Sequence, residues 1–411
     1  MKRHVFLLLC CVVACPVLAA DTSIDLTVNA GDHDRANVPV CVLIDVPAGA
    51  KTVTLTDPDG RKFPGQLTDP GVLNRSADGK RELHFILKHL KKGQSIDLTA
   101  TTTDKPIEGR HFVWTDKPGE YAELSCTECH EKAHPVLRYM CRAYDDSTPE
   151  SRHDTYKVFH HAYNPAGEQI VTKGPGGKYT HHRGIFFGFS RVSYEGGGAD
   201  IWHCKGDTHQ SHAGFLGQEA GKVLGRHAAA VDWCGGGERV FAKEQRELTV
   251  YKSSGGVLIE FASRLCSTGG KVKLDGDPQH AGFQFRASQK VADGDQKLTY
   301  YLRPDGKGQP GETRNWPGDK RMANLPWNAM SFVIDGKRYT ALYLDKPSNP
   351  KEARYSERTY GRFGSYFVYQ LDEENCLEVN YRIWLQNGEM TVEQAQTLSD
   401  DFVEPVKVTV K

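Results

Sequence analysis

Apolar and polar residues alternate along most of this chain in short runs, which is the period of a half-buried β-strand. Turn-forming pairs separate these runs, and Asp335-Gly336, between two apolar runs, is the clearest hairpin signal. Long stretches with the period of an amphipathic helix are few. The pattern therefore predicts an all-β protein made mainly of antiparallel strands.

Strand and turn spacing change near residue 105, which indicates two β regions. Between residues 21 and 104, short strands alternate with turns such as that at Asp57-Pro58-Asp59-Gly60, and a threonine-rich stretch closes at Pro106. This pattern predicts a small β-sandwich at 21–104. Residues 107–411 carry more strand-like runs than a simple sandwich needs, so we expect two large stacked antiparallel sheets there.

The first twenty residues have the composition of an export signal. Lys2 and Arg3 precede an apolar run that ends near Ala14, and small residues follow before Asp21. The run is too short to span a bilayer as a permanent helix, and no later stretch of the sequence is apolar enough to do so. We therefore expect residues 1–20 to be a signal peptide and the protein to be periplasmic or extracellular. Cys15, which follows Val-Val-Ala, is a candidate for lipid attachment.

Charge and composition narrow the choice of partners. The chain carries 52 Lys and Arg residues against 52 Asp and Glu residues. Such a balance gives no electrostatic reason to bind nucleic acid. We expect a small molecule or a glycan as the ligand, while the oligomeric state cannot be read from the sequence.

The cysteines offer one recognisable motif. Cys126, Cys129 and His130 have the spacing of a c-type haem attachment site. They lie between two predicted hairpin strands, without the apolar pocket that a haem needs, so a hairpin tip with a disulfide or free thiols is the alternative. Eight of the 11 cysteines follow the leader, and Cys204 and Cys234 could bridge neighbouring segments.

Histidines are concentrated in the middle of the chain, where nine of the 17 lie between residues 153 and 227. His203, His209 and His212 occupy one glycine-containing loop with aspartates. Imidazole and carboxylate ligands suit zinc, copper or iron, so this loop is a candidate site for a divalent metal. The alternative is a polar loop whose histidines bind backbone or ligand by hydrogen bonds.

Other polar residues lie next to predicted strands that are rich in aromatic residues. His182 and His280 are candidates for proton transfer, because imidazole titrates near neutral pH. Glu260, on an apolar strand, is a further acid–base candidate unless it pairs with an arginine. Guanidinium and indole groups suit the recognition of hydroxyl and carboxylate groups and ring stacking. The candidate binding residues are His181, Arg183, Trp202, Arg286 and Arg358. We expect His182, Trp202 and His280 to share one pocket.

The order of these motifs resembles the PmoA-like family of exported bacterial proteins. The resemblance rests on Thr180-His181-His182-Arg183-Gly184, then Asp200-Ile201-Trp202, then His280-Ala281-Gly282-Phe283, together with looser matches at 164–168, 345–350 and 358–361. It implies a galactose-mutarotase-like β-supersandwich at 107–411. The family carries the label of methane oxygenase, and the Cys126 to His130 motif, which is not part of the resemblance, leaves a redox role open.

Two classes of function follow. The first is an exported carbohydrate-active protein, either an enzyme of hydrolase, lyase or epimerase type using histidine and arginine acid–base chemistry, or a non-catalytic glycan-binding module. The second is an exported redox protein dependent on a metal or on haem c. The sequence makes no cofactor obligatory for the first class.

Overall fold

The computed structural model describes residues 22–74, 79–105, 108–109, 111–127, 133–251 and 253–411. Most of these residues lie in β-strands, and every strand pair is antiparallel, which confirms the predicted all-β class with large antiparallel sheets. The described helices are short: α1 (Pro149–Thr155), α2 (Gln289–Asp293), α3 (Val392–Val403), and 3-10 turns at Gly236–Glu238, Gln296–Leu298 and Lys320–Met322.

The strands, in chain order, are β1 (Thr22–Asn29), β2 (Arg35–Ile44), β3 (Thr52–Thr56), β4 (Lys62–Thr68), β5 (Arg81–Leu90), β6 (Ser95–Thr103), β7 (Phe112–Lys117), β8 (Tyr121–Cys126), β9 (His134–Met140), β10 (Phe159–Ala162), β11 (Ile185–Phe189), β12 (Arg191–Tyr194), β13 (Gly197–Ala199) and β14 (His209–Ala220). They continue with β15 (Leu224–Cys234), β16 (Val240–Tyr251), β17 (Val257–Ser267), β18 (Val272–Asp275), β19 (Ala281–Arg286), β20 (Tyr300–Arg303), β21 (Gly306–Lys307), β22 (Trp327–Ile334), β23 (Lys337–Asp345), β24 (Arg354–Arg358), β25 (Arg362–Tyr366), β26 (Tyr369–Leu371), β27 (Leu377–Asn387) and β28 (Lys407–Val410).

The N-terminal strands form a seven-stranded sheet in the order β2-β5-β4-β3-β6-β1-β28. Its own apolar core includes Leu26, Leu55, Phe85 and Leu98. The last strand of the chain, β28, pairs with β1 and so crosses the boundary expected near residue 105. The hairpin predicted at Asp335-Gly336 is present between β22 and β23.

Two larger sheets pack face to face and hold the main core. One has eight strands in the order β24-β25-β19-β11-β10-β9-β8-β7, and the other has nine in the order β14-β15-β16-β17-β27-β23-β22-β20-β21. Aromatic rings join them: Phe187 lies 5.8 Å from Trp233, and Phe283 lies 4.5 Å from Phe261 and 4.7 Å from Tyr381, measured between ring centroids. A smaller sheet of β13-β12-β18-β26 lies beside them.

Strand alternation fixes which side chains of the eight-stranded sheet face away from this core. Because Phe187, Phe283 and Phe363 point into the core, their neighbours Phe186 and Arg362 point to the opposite face. We call this opposite face the outer face. It carries the polar residues discussed below.

The structure contains a disulfide between Cys266 and Cys376, which joins the end of β17 to the start of β27. Cys204 and Cys234 remain unbridged, contrary to the suggestion from the sequence. The Cys204 thiol instead faces the carbonyl oxygens of Ile201 and Tyr156 at 3.4 and 3.6 Å.

Some sequence-based predictions fall on residues that are not described. Residues 1–20 with Cys15, and Cys129 and His130 of the haem motif, lie outside the described residues. Cys126 ends β8, with its Sγ 3.1 Å from His111 Nε2. Among the described residues, no helix is long and apolar enough to cross a membrane.

Candidate metal centre and surrounding site

The loop at residues 179–184 brings two histidines over the outer face of the eight-stranded sheet. His182 N–H donates to Tyr179 C=O at 3.0 Å, which closes a turn, and Arg286 N–H donates to Gly184 C=O at 2.8 Å, which starts the pairing of β11. A side chain at Gly184 would put its Cβ 2.5 Å from His160 O, so the strand can begin here only without one. The turn thus folds the loop back towards the sheet.

Three histidines from three separate loops meet at this face. The candidate ligand atoms of His181, His203 and His280 all lie within 4.8 Å of one another, and each side chain is partly exposed. Tetrahedral zinc with imidazole ligands needs nitrogens about 3.4 Å apart. The three histidines are thus grouped closely enough to be tested as a metal site.

Two of these histidines have a carboxylate behind them. His203 Nδ1 lies 2.8 Å from Asp200 Oδ2, and His280 Nδ1 lies 3.0 Å from both carboxylate oxygens of Asp277. A carboxylate at Nδ1 accepts the ring proton there and leaves the Nε2 lone pair free to bind a metal. Burial alone would raise the pKa of Asp277, but the hydrogen bonds from His280 and from Gln279 N–H hold it at about 2.

His181 supplies the third imidazole. Within the described residues, its buried Nε2 has no hydrogen-bond partner. Burial, the Lys157 ammonium and the two neighbouring imidazoles lower the pKa of His181 to about 2, so its ring is neutral at physiological pH. A neutral imidazole is the form that binds metal.

Lys157 ties two of the loops together. Its Nζ donates to His181 O at 2.6 Å and also to Trp202 O. The side chain is buried against Phe186, and burial is the main reason that the pKa of Lys157 falls to about 7. Lys157 therefore positions His181 and Trp202 and does not face a ligand.

The aromatic residues of the sequence motifs gather around the three histidines. The His182 ring lies 4.4 Å from the His181 ring and 6.2 Å from Trp202, and Trp202 lies 6.3 Å from His280. Tyr179 lies 5.4 Å from His182. The structure thus brings His182, Trp202 and His280 together on one face, while their chemical roles remain predictions.

His182 is more buried than the three clustered histidines. Burial, followed by the charges of His181, Arg362 and Arg286, lowers the pKa of His182 far below its usual range. Its Nδ1 has no hydrogen-bond partner among the described residues. In this state His182 is a neutral hydrogen-bonding group and not a charged proton donor.

The predicted binding arginines have different surroundings. Arg183 is buried and donates to the carbonyl oxygens of Thr180, His182 and His153, so it holds loops in place and does not face a ligand. Arg358 is partly exposed and donates to Asn315 Oδ1 at 2.6 Å. Arg286 lies on the outer face beside the site.

Glu260 does not belong to this site. It pairs with Arg382 at 2.8 Å and accepts a hydrogen bond from Asn380 at 3.0 Å. Its neighbour Phe261 points into the core between the two large sheets, so Glu260 points to the other face of the nine-stranded sheet. The acid–base role predicted for Glu260 is therefore replaced by an ion pair.

The predicted metal set of His203, His209 and His212 is not brought together. His209 stacks on Tyr144 with ring centroids 3.7 Å apart, and the Nδ1 of His212 lies 3.2 Å from Tyr139 OH. His203 lies in the turn at 201–204, whereas His209 and His212 lie on β14. His203 joins His181 and His280 instead.

A second group of metal-binding residue types, Cys41, Glu82 and His84, lies in the N-terminal sheet. The Glu82 carboxylate already accepts hydrogen bonds from Arg226 Nη1 at 2.7 Å and from Gly71 N–H at 2.9 Å. These existing partners make it a weaker metal candidate than the histidine cluster on the outer face.

Two solved structures show a distant likeness to this chain. An α-mannosidase from Enterococcus faecalis V583 shares 8% identity at a TM-score of 0.46, over 95% of this chain and 46% of its own. The GH36 α-galactosidase AgaA from Geobacillus stearothermophilus shares 11% identity at a TM-score of 0.31, over 69% of this chain and 41% of its own. The chain therefore spans less than half the length of these solved structures, and such distant likeness carries no inference about function.

No curated protein matches the chain in sequence. A family profile does match, from residue 127 to residue 400. This range contains all three clustered histidines and both carboxylates behind them. The chain belongs to the family described as a family of unknown function, DUF6807.

Proposed function

We propose that the protein is an exported metal-dependent enzyme that acts on a carbohydrate, with the ion held by His181, His203 and His280. The observation that carries the proposal is the convergence of three imidazoles, two of them backed by carboxylates. Three protein ligands leave a coordination position for water or a substrate oxygen. Nitrogen ligands suit zinc, copper or iron.

The surroundings support a sugar as the ligand. Trp202, Tyr179 and Tyr360 place aromatic rings next to the cluster, and such rings bind the apolar faces of sugars. A bound ion would acidify a coordinated water or hydroxyl group, and neutral His182 would orient a substrate oxygen by a hydrogen bond.

Export is part of the same proposal. It is supported by the leader-like sequence of residues 1–20 and by the disulfide between Cys266 and Cys376, which is typical of an oxidising compartment. Membership of the PmoA-like family remains a proposal, carried by the motifs around His181 and His280.

A redox enzyme is the second candidate, because the same three histidines would also hold copper or iron. The identity of the bound ion and the reaction catalysed distinguish the carbohydrate-active enzyme from the redox enzyme. Turnover of a glycan with the zinc form in the absence of oxygen favours the first candidate. Turnover that requires copper or iron together with an oxidant favours the second.

Metal content tests the site. Protein stripped with a chelator and incubated separately with Zn²⁺, Cu²⁺, Fe²⁺ and Mn²⁺ should retain one ion per chain of a preferred metal, as measured by elemental analysis. His203→Ala should abolish this retention. His209→Ala is the matched control, since His209 lies a few residues along the chain but stacks on Tyr144.

Activity tests the proposal as a whole. The metal-loaded protein should convert at least one member of a panel of oligosaccharides, and both chelation and His203→Ala should abolish the conversion. Metal binding without any turnover would make the protein a binding module. Retention of the ion by His203→Ala would overturn the assignment of the ligands.

A further inference from the structure

Two buried arginines stand opposite each other on the outer face, beside the histidine cluster. Arg286 of β19 and Arg362 of β25 are directly paired in the sheet, and each is 1% exposed. Like charges at directly opposed positions destabilise an antiparallel pair. Burial of an uncompensated charge adds a further cost.

Three other buried arginines do not carry this cost, because each has a carboxylate partner, and buried Arg183 instead uses both of its Nη groups on backbone carbonyl oxygens. Arg246 pairs with Glu244 at 2.7 Å, and Arg226 pairs with Glu82 at 2.7 Å. Arg303 likewise pairs with Glu357. Among the described residues, by contrast, no carboxylate forms an ion pair with Arg286 or Arg362.

In the described part of the chain, Arg286 and Arg362 both donate hydrogen bonds from Nη1 only. Arg286 Nη1 donates to Ala287 O at 2.7 Å and to Tyr360 O at 2.5 Å. Arg362 Nη1 donates to Ser356 Oγ at 2.8 Å and to Gln284 Oε1 at 3.0 Å.

The other edge of each guanidinium, formed by Nε and Nη2, is buried and makes no hydrogen bond within the described residues. Nε and Nη2 form the planar fork that binds two oxygens of a carboxylate or a similar oxyanion. Two such forks on neighbouring strands are the donor set of an anion site.

The two arginines adjoin the histidine cluster. Arg362 Nη1 also lies 3.3 Å from the carbonyl oxygen of Pro278, in the loop that presents His280. The Tyr360 ring lies 5.0 Å from the guanidinium carbon of Arg286 and 5.9 Å from the His182 ring. A ligand that reached both groups would span neighbouring parts of one site.

Aromatic side chains cover Arg286. Tyr360 lies over Arg286, and Tyr179, which is 39% exposed, packs on Tyr360 with ring centroids 4.4 Å apart. Tyr179 follows a glycine-rich stretch at 174–177. An anion can reach the free N–H groups of Arg286 only when these rings move aside.

We propose that Arg286 and Arg362 bind the oxyanion group of an acidic sugar, a carboxylate or a sulfate ester, whose ring oxygens face the histidine cluster. This inference rests on the proposed function and specifies its substrate class. It explains why Arg286 and Arg362 each leave both Nε and Nη2 without a partner, whereas Arg226, Arg246 and Arg303 pair with carboxylates. The substrate supplies the missing negative charge.

Calorimetric titration of the metal-loaded protein tests the proposal. The probes are a uronic acid oligosaccharide, a sulfated oligosaccharide, a neutral oligosaccharide of matched length, and inorganic sulfate. We expect at least one acidic oligosaccharide to bind at least about tenfold more tightly than the neutral one, the discrimination expected for a buried charge-assisted fork. The uronic and sulfated probes show which oxyanion is preferred.

Arg362→Gln should abolish this preference while the protein keeps its bound metal. Arg354→Gln is the matched control, because Arg354 lies on the neighbouring strand β24, stacks on Trp316 and pairs with exposed Glu352. Circular dichroism establishes whether each variant is folded. If Arg362→Gln fails to fold, Arg286→Gln and the preference of the unmodified protein decide the question.

Equal binding of acidic and neutral sugars would overturn the proposal, as would binding of inorganic sulfate alone. A preference that survives in folded Arg362→Gln would also overturn it. Metal retention separates this result from the proposed function: if the protein retains none of the tested ions but still prefers the acidic sugar, the arginine site stands and the metal centre is contradicted.

Discussion

Asp277→Asn tests whether the carboxylate behind His280 contributes to metal binding. Asp277 receives the Nδ1–H of His280, with both of its oxygens 3.0 Å from that nitrogen. The substitution keeps the size of the side chain but removes the negative charge that stabilises a metal-bound imidazole. It also allows the amide to turn its NH₂ group towards Nδ1, which disfavours the tautomer with a free Nε2.

The expected loss of metal affinity follows from the contact between Asp277 and His280. Removing one such partner weakens metal binding by about 10- to 100-fold, which is about 1.4 to 2.7 kcal/mol. Asp200 supports a different ligand, His203, from a separate loop. If the two carboxylates act independently, Asp200→Asn combined with Asp277→Asn should weaken binding by about 100- to 10,000-fold.

Competition with a fluorescent chelator of known affinity measures these losses. Asp275→Asn is the matched control, because Asp275 is two residues away and binds Gly276 N–H and Arg191, with no contact to the cluster. Equal affinity for Asp277→Asn and Asp275→Asn, alongside a large loss in His280→Ala, would refute the role of the carboxylate and leave the histidine site standing.

Three further predictions concern stability. Replacing Cys266 and Cys376 by alanine opens a crosslink between residues 110 positions apart, so the free energy of unfolding should fall by up to about 5 kcal/mol in chemical denaturation, and an unchanged midpoint would contradict this. Arg303→Met should cost about 3–5 kcal/mol because it leaves the fully buried Glu357 without its ion pair, whereas a loss below about 1 kcal/mol would refute the pairing. Burial raises the pKa of Glu247 to about 7 from its usual 4.5, so the folded state binds a proton more tightly than the unfolded state and stability should fall as the pH rises from 4.5 to 7. Glu247→Gln should remove this part of the pH dependence, and an identical profile for the variant would contradict the shift.

The fold class could be read from the sequence because strand alternation and turn pairs are local signals. The Asp335-Gly336 hairpin is an example, since the two turn residues and both strands are adjacent in the chain. The pairing of β28 with β1 is the opposite case. It joins the two ends of the described chain, and nothing local specifies it.

In the candidate site too, local features could be predicted from the sequence, but contacts between distant residues could not. The sequence singled out His181, His203 and His280 individually, but it grouped His203 with nearby histidines because spacing along the chain was the available guide. A repeated signal was present: Asp200 and Asp277 each precede a clustered histidine by three residues. Read as a repeated Asp-x-x-His motif, it would have paired His203 with His280.

Arg362 and Lys157 could not have been recognised in this way. The role of Arg362 depends on the register between β19 and β25, which places it opposite Arg286 across 76 residues of sequence. Lys157 acts through backbone carbonyls of two distant loops. Such contacts become visible only when the sheets are assembled.

Anomalous X-ray diffraction from crystals grown with the preferred metal tests the central claim most directly. The account predicts one anomalous peak about 2.0–2.2 Å from a ring nitrogen of each of His181, His203 and His280. A peak at another site, or no peak near these three histidines at full metal loading, would contradict it.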